Sequence, residues 1–215
     1  RFLEILPGAL AWLTIILMFV FSWALPSWVA VFIILFDLYW LFKTVFLSLH
    51  LRSAFFAMRK NLKIDWLKKL QSSGLKFQDI RHLIIFPMYK EPYEVVKESF
   101  ESLINANYPK DKFIAVLAIE ERAGDEAEKI AEKIEAEFGD KFFAFLTTAH
   151  PADIPGELPG KGSNETWAAK QVKKTVIDAQ NIPYEDILVS VFDVDTQVPA
   201  DYFARLTHAF LTAEN

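Results

Sequence analysis

Two consecutive apolar stretches at the start of the chain restrict its folding more than any other feature. From Pro7 to Leu25 no residue is charged, and from Trp28 to Leu49 only Asp37 and Lys43 are. A hydrocarbon core about 30 Å thick needs roughly 20 apolar residues as helix, and each stretch is about that long. Both are apolar all round, whereas the helices of a buried soluble pair carry a single apolar stripe. Pro26 and Ser27 read as a tight turn between them, with Trp23 and Trp28 placed as interfacial aromatics. A cleaved signal peptide does not fit: there is no basic leader or A-x-A-like site, and a second span follows at once. Residues 1–50 are therefore expected to form a transmembrane helical hairpin with both ends on one side.

The next segment sets the orientation. Between residues 51 and 81, Arg52, Arg59, Lys60, Lys63, Lys68, Lys69, Lys76 and Arg81 face only Asp65 and Asp79. Positive charge beside a span marks the cytoplasmic side, so everything that follows is expected in the cytoplasm, at an inner or plasma membrane. Phe55, Met58, Leu62, Trp66 and Leu70 recur at helical spacing. Residues 51–80 thus read as a basic amphipathic juxtamembrane segment whose lysines meet anionic lipid headgroups; an ordinary helix packed on the following domain is the plainer reading. Asp37, in the second span, is expected to pair with another helix or to line a polar path.

The chain is 53% hydrophobic yet 24% charged, and the segregation of its apolar residues reconciles the two figures. With no Cys, a disulfide scaffold, a zinc–thiolate site and a cysteine nucleophile are excluded. A net charge of −5 gives no overall signature for nucleic acid. Arg1 at the first position suggests a fragment or a processed piece.

From Arg81 onward the pattern changes. Arg81–Pro87, Phe113–Ile119, Lys141–Thr148 and Asp186–Phe192 are short apolar runs that read as buried strands. Between them, Pro92–Ala106, Asp125–Phe138 and Ser163–Gln180 read as helices, and a last helix is expected from Pro199 to Thr212. Gly139 is expected to end the second of these. Strand alternating with helix predicts an α/β domain with a mostly parallel sheet, and such sheets bind ligands beyond the carboxyl ends of their strands.

Those ends carry the chemistry. The fourth strand closes in Asp193-Val194-Asp195, two carboxylates spaced to hold a hard divalent cation such as Mg²⁺ or Mn²⁺. The second ends in Glu120-Glu121-Arg122-Ala123-Gly124-Asp125, where a carboxylate is placed to accept from a base or ribose, or simply to favour a helix N-terminus. Gly156-Glu157-Leu158-Pro159-Gly160-Lys161-Gly162 is one residue short of a Walker A loop, and Gly162 stands where Ser or Thr would reach magnesium. Lys161 still suits a diphosphate as a point charge at a helix N-terminus. The four His residues show no H-E-x-x-H spacing, and no G-x-S-x-G exists for a serine hydrolase.

Taken together, these residues resemble the processive inverting glycosyltransferases of family 2, the cellulose-synthase and hyaluronan-synthase type. The likeness runs from about Leu83 to Phe210. Pro87-Met88-Tyr89-Lys90-Glu91 matches the family's P-x-Y-N-E-like motif with Lys90 for Asn. Ser102-Leu103 and Tyr108-Pro109 match its S-L…Y-P. Glu120 to Asp125 stand at its D-D-G-S-x-D, with Arg122 for Gly; Gly160-Lys161 matches its G-K, and Asp193 and Asp195 its D-x-D. The resemblance implies a GT-A fold (Rossmann-like, mostly parallel), residues 81–215 being its donor-binding part. By carry-over, Pro87, Tyr89, Glu91 and Glu120 or Glu121 would hold the nucleoside of a nucleotide-sugar donor, UDP-sugar first among them. Lys161 and Asp193 would meet the diphosphate, and Asp193 and Asp195 would hold Mg²⁺ or Mn²⁺. The acceptor would be a glycan or a lipid-linked sugar. The family's catalytic base and acceptor motifs are expected after Asn215, so these residues alone are expected not to elongate a glycan.

Two other activities are compatible with the same residues. A lipid-phosphate glycosyltransferase of the dolichyl-phosphate-mannose-synthase kind would share the donor site and make one transfer. A membrane-anchored interaction module would keep only a degenerate nucleotide site.

Overall fold

The computed structural model describes residues 2–213; Arg1, Glu214 and Asn215, at the outer limits of the expected domains, lie outside them. The chain divides into two compact units, one up to Lys63 and one from Ile64.

The first unit is two helices, α1 (Phe2–Ala24) and α2 (Pro26–Asn61), broken only at Leu25. Proline suits the first turn of α2, because its missing N–H has no partner there in any helix. At 1.5 Å per residue α1 is about 35 Å long and α2 about 54 Å. No described side chain of either helix is buried, and Trp23 is 94% exposed. Both helices are long and apolar enough to cross a membrane. The helix does not end near Leu49: α2 carries Phe55 and Met58 and runs on to Asn61. The expected amphipathic helix is therefore divided. Its later residues Trp66 and Leu70 lie on a separate short helix, α3 (Trp66–Ser72), in the second unit. Asp65 caps that helix by accepting the Lys68 N–H at 2.9 Å, which favours a new start there.

The second unit is built on four parallel strands, β1 (Arg81–Pro87), β2 (Phe113–Glu120), β3 (Ala144–His150) and β4 (Ile187–Val191), in the order β3-β2-β1-β4. Parallel strands need crossovers, and helices α4 (Tyr93–Ile104), α5 (Asp125–Phe138) and α6 (Lys161–Val172) supply them, followed by α7 (Tyr202–Thr212). Strand residues alternate between the two faces of the sheet. Ile84, Phe86, Ala115 and Leu117 enter a core with α3, α4, α5 and α7, rich in Phe. Leu83, Ile85, Ile114 and Val116 enter a second core against Ala168 and Val172 of α6. The sheet is thus covered on both faces, as an all-parallel sheet requires.

Most strands and helices start or end within a few residues of the sequence reading, and the larger differences have physical reasons. β3 starts at Ala144 rather than Lys141, because pairing to β2 begins at Ala144 with Ile114. Phe142, ahead of the strand, is a core residue, while Arg81 lies over the Phe143 ring at 3.8 Å. The helix read as Ser163–Gln180 changes to π geometry over Lys173–Ile177, and Asn181 then turns the chain with φ +53°; Asn tolerates that conformation better than most residues. Gly139 caps α5 directly after Phe138, as expected, though not by a left-handed turn. It stays right-handed, in a position where a Cβ would meet the Glu135 carbonyl oxygen at 2.5 Å.

Candidate functional site

Strand order decides where the site lies. β2 and β3 extend from one side of β1, and β4 pairs on the other, so a crevice opens beyond the carboxyl ends of β1 and β4. A cavity of about 500 Å³ occupies this place. Its lining brings together Pro87 at the end of β1 with Met88, Tyr89 and Glu91 after it, Glu120 at the end of β2, Lys161 and Asn164 on α6, and Asp193, Val194 and Asp195 after β4.

Register explains how the two aspartates arrive there. Ile85 pairs with Val191 and its carbonyl accepts the Phe192 N–H at 3.1 Å, so β4 delivers Asp193 beside the carboxyl end of β1. Val194 is 4% exposed and belongs to the core, and its carbonyl accepts from the Ser99 hydroxyl at 2.6 Å. The Thr196 N–H closes a turn on the Asp193 carbonyl at 2.9 Å, and Asp193, Val194 and Asp195 all line the cavity.

Lys161 opens α6, where unpaired backbone N–H groups favour anions. Its ammonium contacts Asp193 and lies 3.8 Å from Glu165. The Asp193 carboxylate is the main cause that raises the Lys161 pKa above the ordinary lysine value. Glu91 folds back on its own loop: one carboxylate oxygen accepts the Tyr89 N–H at 2.7 Å and the Lys90 N–H at 3.1 Å. It shapes the loop that presents Tyr89.

The neighbouring acids Glu120 and Glu121 separate. Glu120 is 5% exposed and lines the cavity. Glu121 is absent from the lining; its carboxylate accepts the Ala152 N–H at 2.9 Å and ties down the loop before Lys161. His150, at the end of β3, holds the same loop through Glu157 at 2.9 Å. Of the residues singled out in the sequence, the cavity thus gathers Pro87, Tyr89, Glu91, Glu120, Lys161, Asp193 and Asp195, and leaves out Glu121.

Sequence reasoning missed Asn164 and Arg122. Asn164 is 1% exposed; its amide donates to the Ala118 carbonyl at 2.7 Å, and its Oδ1 has no partner among the described residues. The available signal was its spacing. Asn164, Ala168 and Val172 share the buried face of α6, and an amide on an otherwise apolar stripe needs a reason. Arg122 follows β2, donates to Glu120 and lies over the Tyr89 ring.

The donor set of Asp193 and Asp195 is two hard carboxylate groups on one cavity wall, beside a cation-bearing side chain. That chemistry fits Mg²⁺ or Mn²⁺ held by one or two carboxylates plus ligand phosphates. Among the described residues no cluster of three or more His, Cys, Asp and Glu forms a closed metal cage. No family model matches the chain, and no curated protein or solved structure matches it.

Proposed function

We propose that the second unit binds the nucleotide-diphosphate-sugar donor of a membrane-anchored glycosyltransferase, UDP-sugar being the first candidate, for metal-dependent inverting transfer in polysaccharide synthesis. One observation carries this reading. Residues from four separated segments, Tyr89, Glu120, Lys161 and the Asp193/Asp195 pair, converge on a single cavity of about 500 Å³ at the crevice of a parallel sheet. A cavity of that size suits a nucleotide-sized ligand. Its lining offers two kinds of chemistry. Tyr89 and Glu120 offer an aromatic surface and an acceptor for a nucleoside, and Lys161 offers a cation for phosphate.

In this reading Asp193 and Asp195 would hold Mg²⁺ or Mn²⁺. When bound, the ion neutralises charge that develops on the leaving diphosphate. Lys161 changes partner from Asp193 to a phosphate oxygen, a charge-assisted contact of the same kind. Glu91 keeps the Tyr89 loop in shape, and Glu121 and His150 hold the loop before Lys161 against the strand ends. Membrane anchorage is part of the same proposal: α1 and α2 have the length and hydropathy of spans, and the basic residues after them favour the cytoplasmic side.

Thermal unfolding with nucleotides tests the donor site. At a hundredfold excess over its Kd a ligand that binds only the native state stabilises by about 2.7 kcal/mol, roughly 5–10 °C for a unit of this size. We expect such a shift with UDP that requires Mn²⁺, and its loss in Asp195→Ala. Metal-independent binding, or a shift that survives in the variant, would remove the aspartate pair from the site.

A further inference from the structure

Arg122 does not line the cavity, yet it touches two residues that do. Its Nε–H donates to Glu120 Oε2 at 2.5 Å, and its guanidinium carbon lies 4.9 Å from the centre of the Tyr89 ring. These contacts come from one rigid plane. A guanidinium presents fixed donors along its edge and stacks on aromatic faces, which an ammonium cannot do together.

The surroundings fix this arrangement. Gly124 takes φ +82°, a conformation other residues adopt only with strain, and its N–H closes a tight turn on the Glu121 carbonyl at 3.1 Å. Glu121 is anchored in turn to the Ala152 N–H. The turn that carries Arg122 is therefore held on both sides, and Arg122 reaches back two residues to Glu120. A carboxylate 5% exposed is costly to keep without a partner, and Arg122 is that partner. Among the described residues no hydrogen bond reaches the other oxygen, Oε1, so one oxygen is held while the second stays free to accept.

We propose that Arg122 is a positioning residue for the nucleobase end of the site: through one guanidinium it braces Glu120 and Tyr89 in fixed relation, so that the site takes a base offering an N–H to a carboxylate while its ring meets Tyr89. This rests on the nucleotide-donor reading above. Lys161 pairs with Asp193, whereas the contacts of Arg122 are with Glu120 and Tyr89.

The test measures binding by calorimetry on the full chain in detergent, with uridine, UDP and pyrophosphate, each with Mn²⁺. For Arg122→Ala we expect uridine and UDP to bind about 10- to 100-fold more weakly, the scale of a lost hydrogen bond to a charged group. Pyrophosphate should bind as in the wild type. Arg122→Lys keeps the charge without the plane and should recover less than half of the lost binding free energy. The Arg122 side chain is 37% exposed, and a wild-type circular-dichroism spectrum with a cooperative thermal transition in both variants shows that the fold is intact, whatever stability the loss of the Glu120 partner costs. Equal losses for UDP and pyrophosphate would overturn the proposal in favour of a general effect on the site. Tighter UDP binding by Arg122→Ala would overturn it differently, making Arg122 a competitor for Glu120. Full recovery by lysine would remove the argument from planarity. Wild-type protein that binds none of the three ligands sinks the donor reading itself, whereas wild-type binding of UDP unchanged by Arg122→Ala sinks only this inference.

Discussion

Phe100→Ala will destabilise the second unit by about 3–5 kcal/mol, the cost of removing a buried Phe from a packed core. The size follows from its position. Phe100 is fully buried, with ring centres of Phe86, Phe138, Phe142 and Phe145 between 5.2 and 6.5 Å away. Those partners belong to β1, α5, β3 and the segment before β3, so one side chain joins four parts of the core. None of them can move into the gap without losing contacts of its own, and the interior tolerates voids poorly. The melting temperature should fall by roughly 10 °C or more. Phe100→Leu, which fills more of the volume, should lose clearly less. A fall under about 2 °C for the alanine variant would contradict the packing described here.

His82 should make the second unit acid-sensitive well above the range in which carboxylates titrate. The imidazole is fully buried among Tyr108, Phe113 and Phe203. Nε2 is 2.9 Å from the Thr207 hydroxyl, and Nδ1 has no partner among the described residues. Burial without an anion lowers its pKa from 6.5 to about 3. The native state therefore excludes a proton that the unfolded chain takes up below about pH 6.5. Stability is complete above that pH and declines as pH falls toward 3. Between pH 7 and pH 5 the loss is about 2 kcal/mol. Glu137, Asp140 and Asp178 have pKa values below the ordinary range, held there chiefly by Tyr93, Lys141 and Lys173 respectively, so their own losses begin at lower pH. His82→Gln removes the titration. Its melting temperature should fall less than that of the wild type over this window, and parallel curves for the two proteins would refute the assignment.

Much of the fold was legible because it is local. β1 and α5 have the boundaries their periodicity predicts, since an apolar run ending in Pro and a stripe repeating every three to four residues each specify one element. Sequence places the start of β3 three residues early, because Phe142 and Phe143 look like strand residues. Their burial comes from the core and from Arg81, and pairing with β2 starts only at Ala144. Phe55 to Leu70 share a helical spacing yet lie on two helices, because spacing does not reveal where a cap such as Asp65 begins a new one.

The candidate site divides in the same way. Asp193 and Asp195 were legible because both follow a buried apolar run at the carboxyl end of a strand, whereas the turn that sets them at the cavity, closed by the Thr196 N–H on the Asp193 carbonyl at 2.9 Å, was not. Glu120 and Glu121 were indistinguishable in sequence. Their roles differ because Glu120 still belongs to β2, while Glu121 opens a short 3₁₀ turn that aims it at Ala152.

The sequence by itself determined two apolar helices long enough to span a membrane, and an α/β unit with acids and a lysine at its strand ends. Hydrophobic periodicity and charge segregation are properties of neighbouring residues, so they need no partner to be read. The tertiary structure alone decided that β1 lies between β2 and β4, that Glu120 rather than Glu121 meets the cavity, and that Arg122 bridges Glu120 to Tyr89. Each of these joins side chains that only the pairing of strands or the path of a turn brings together, and no local pattern encodes which of several equivalent neighbours will meet.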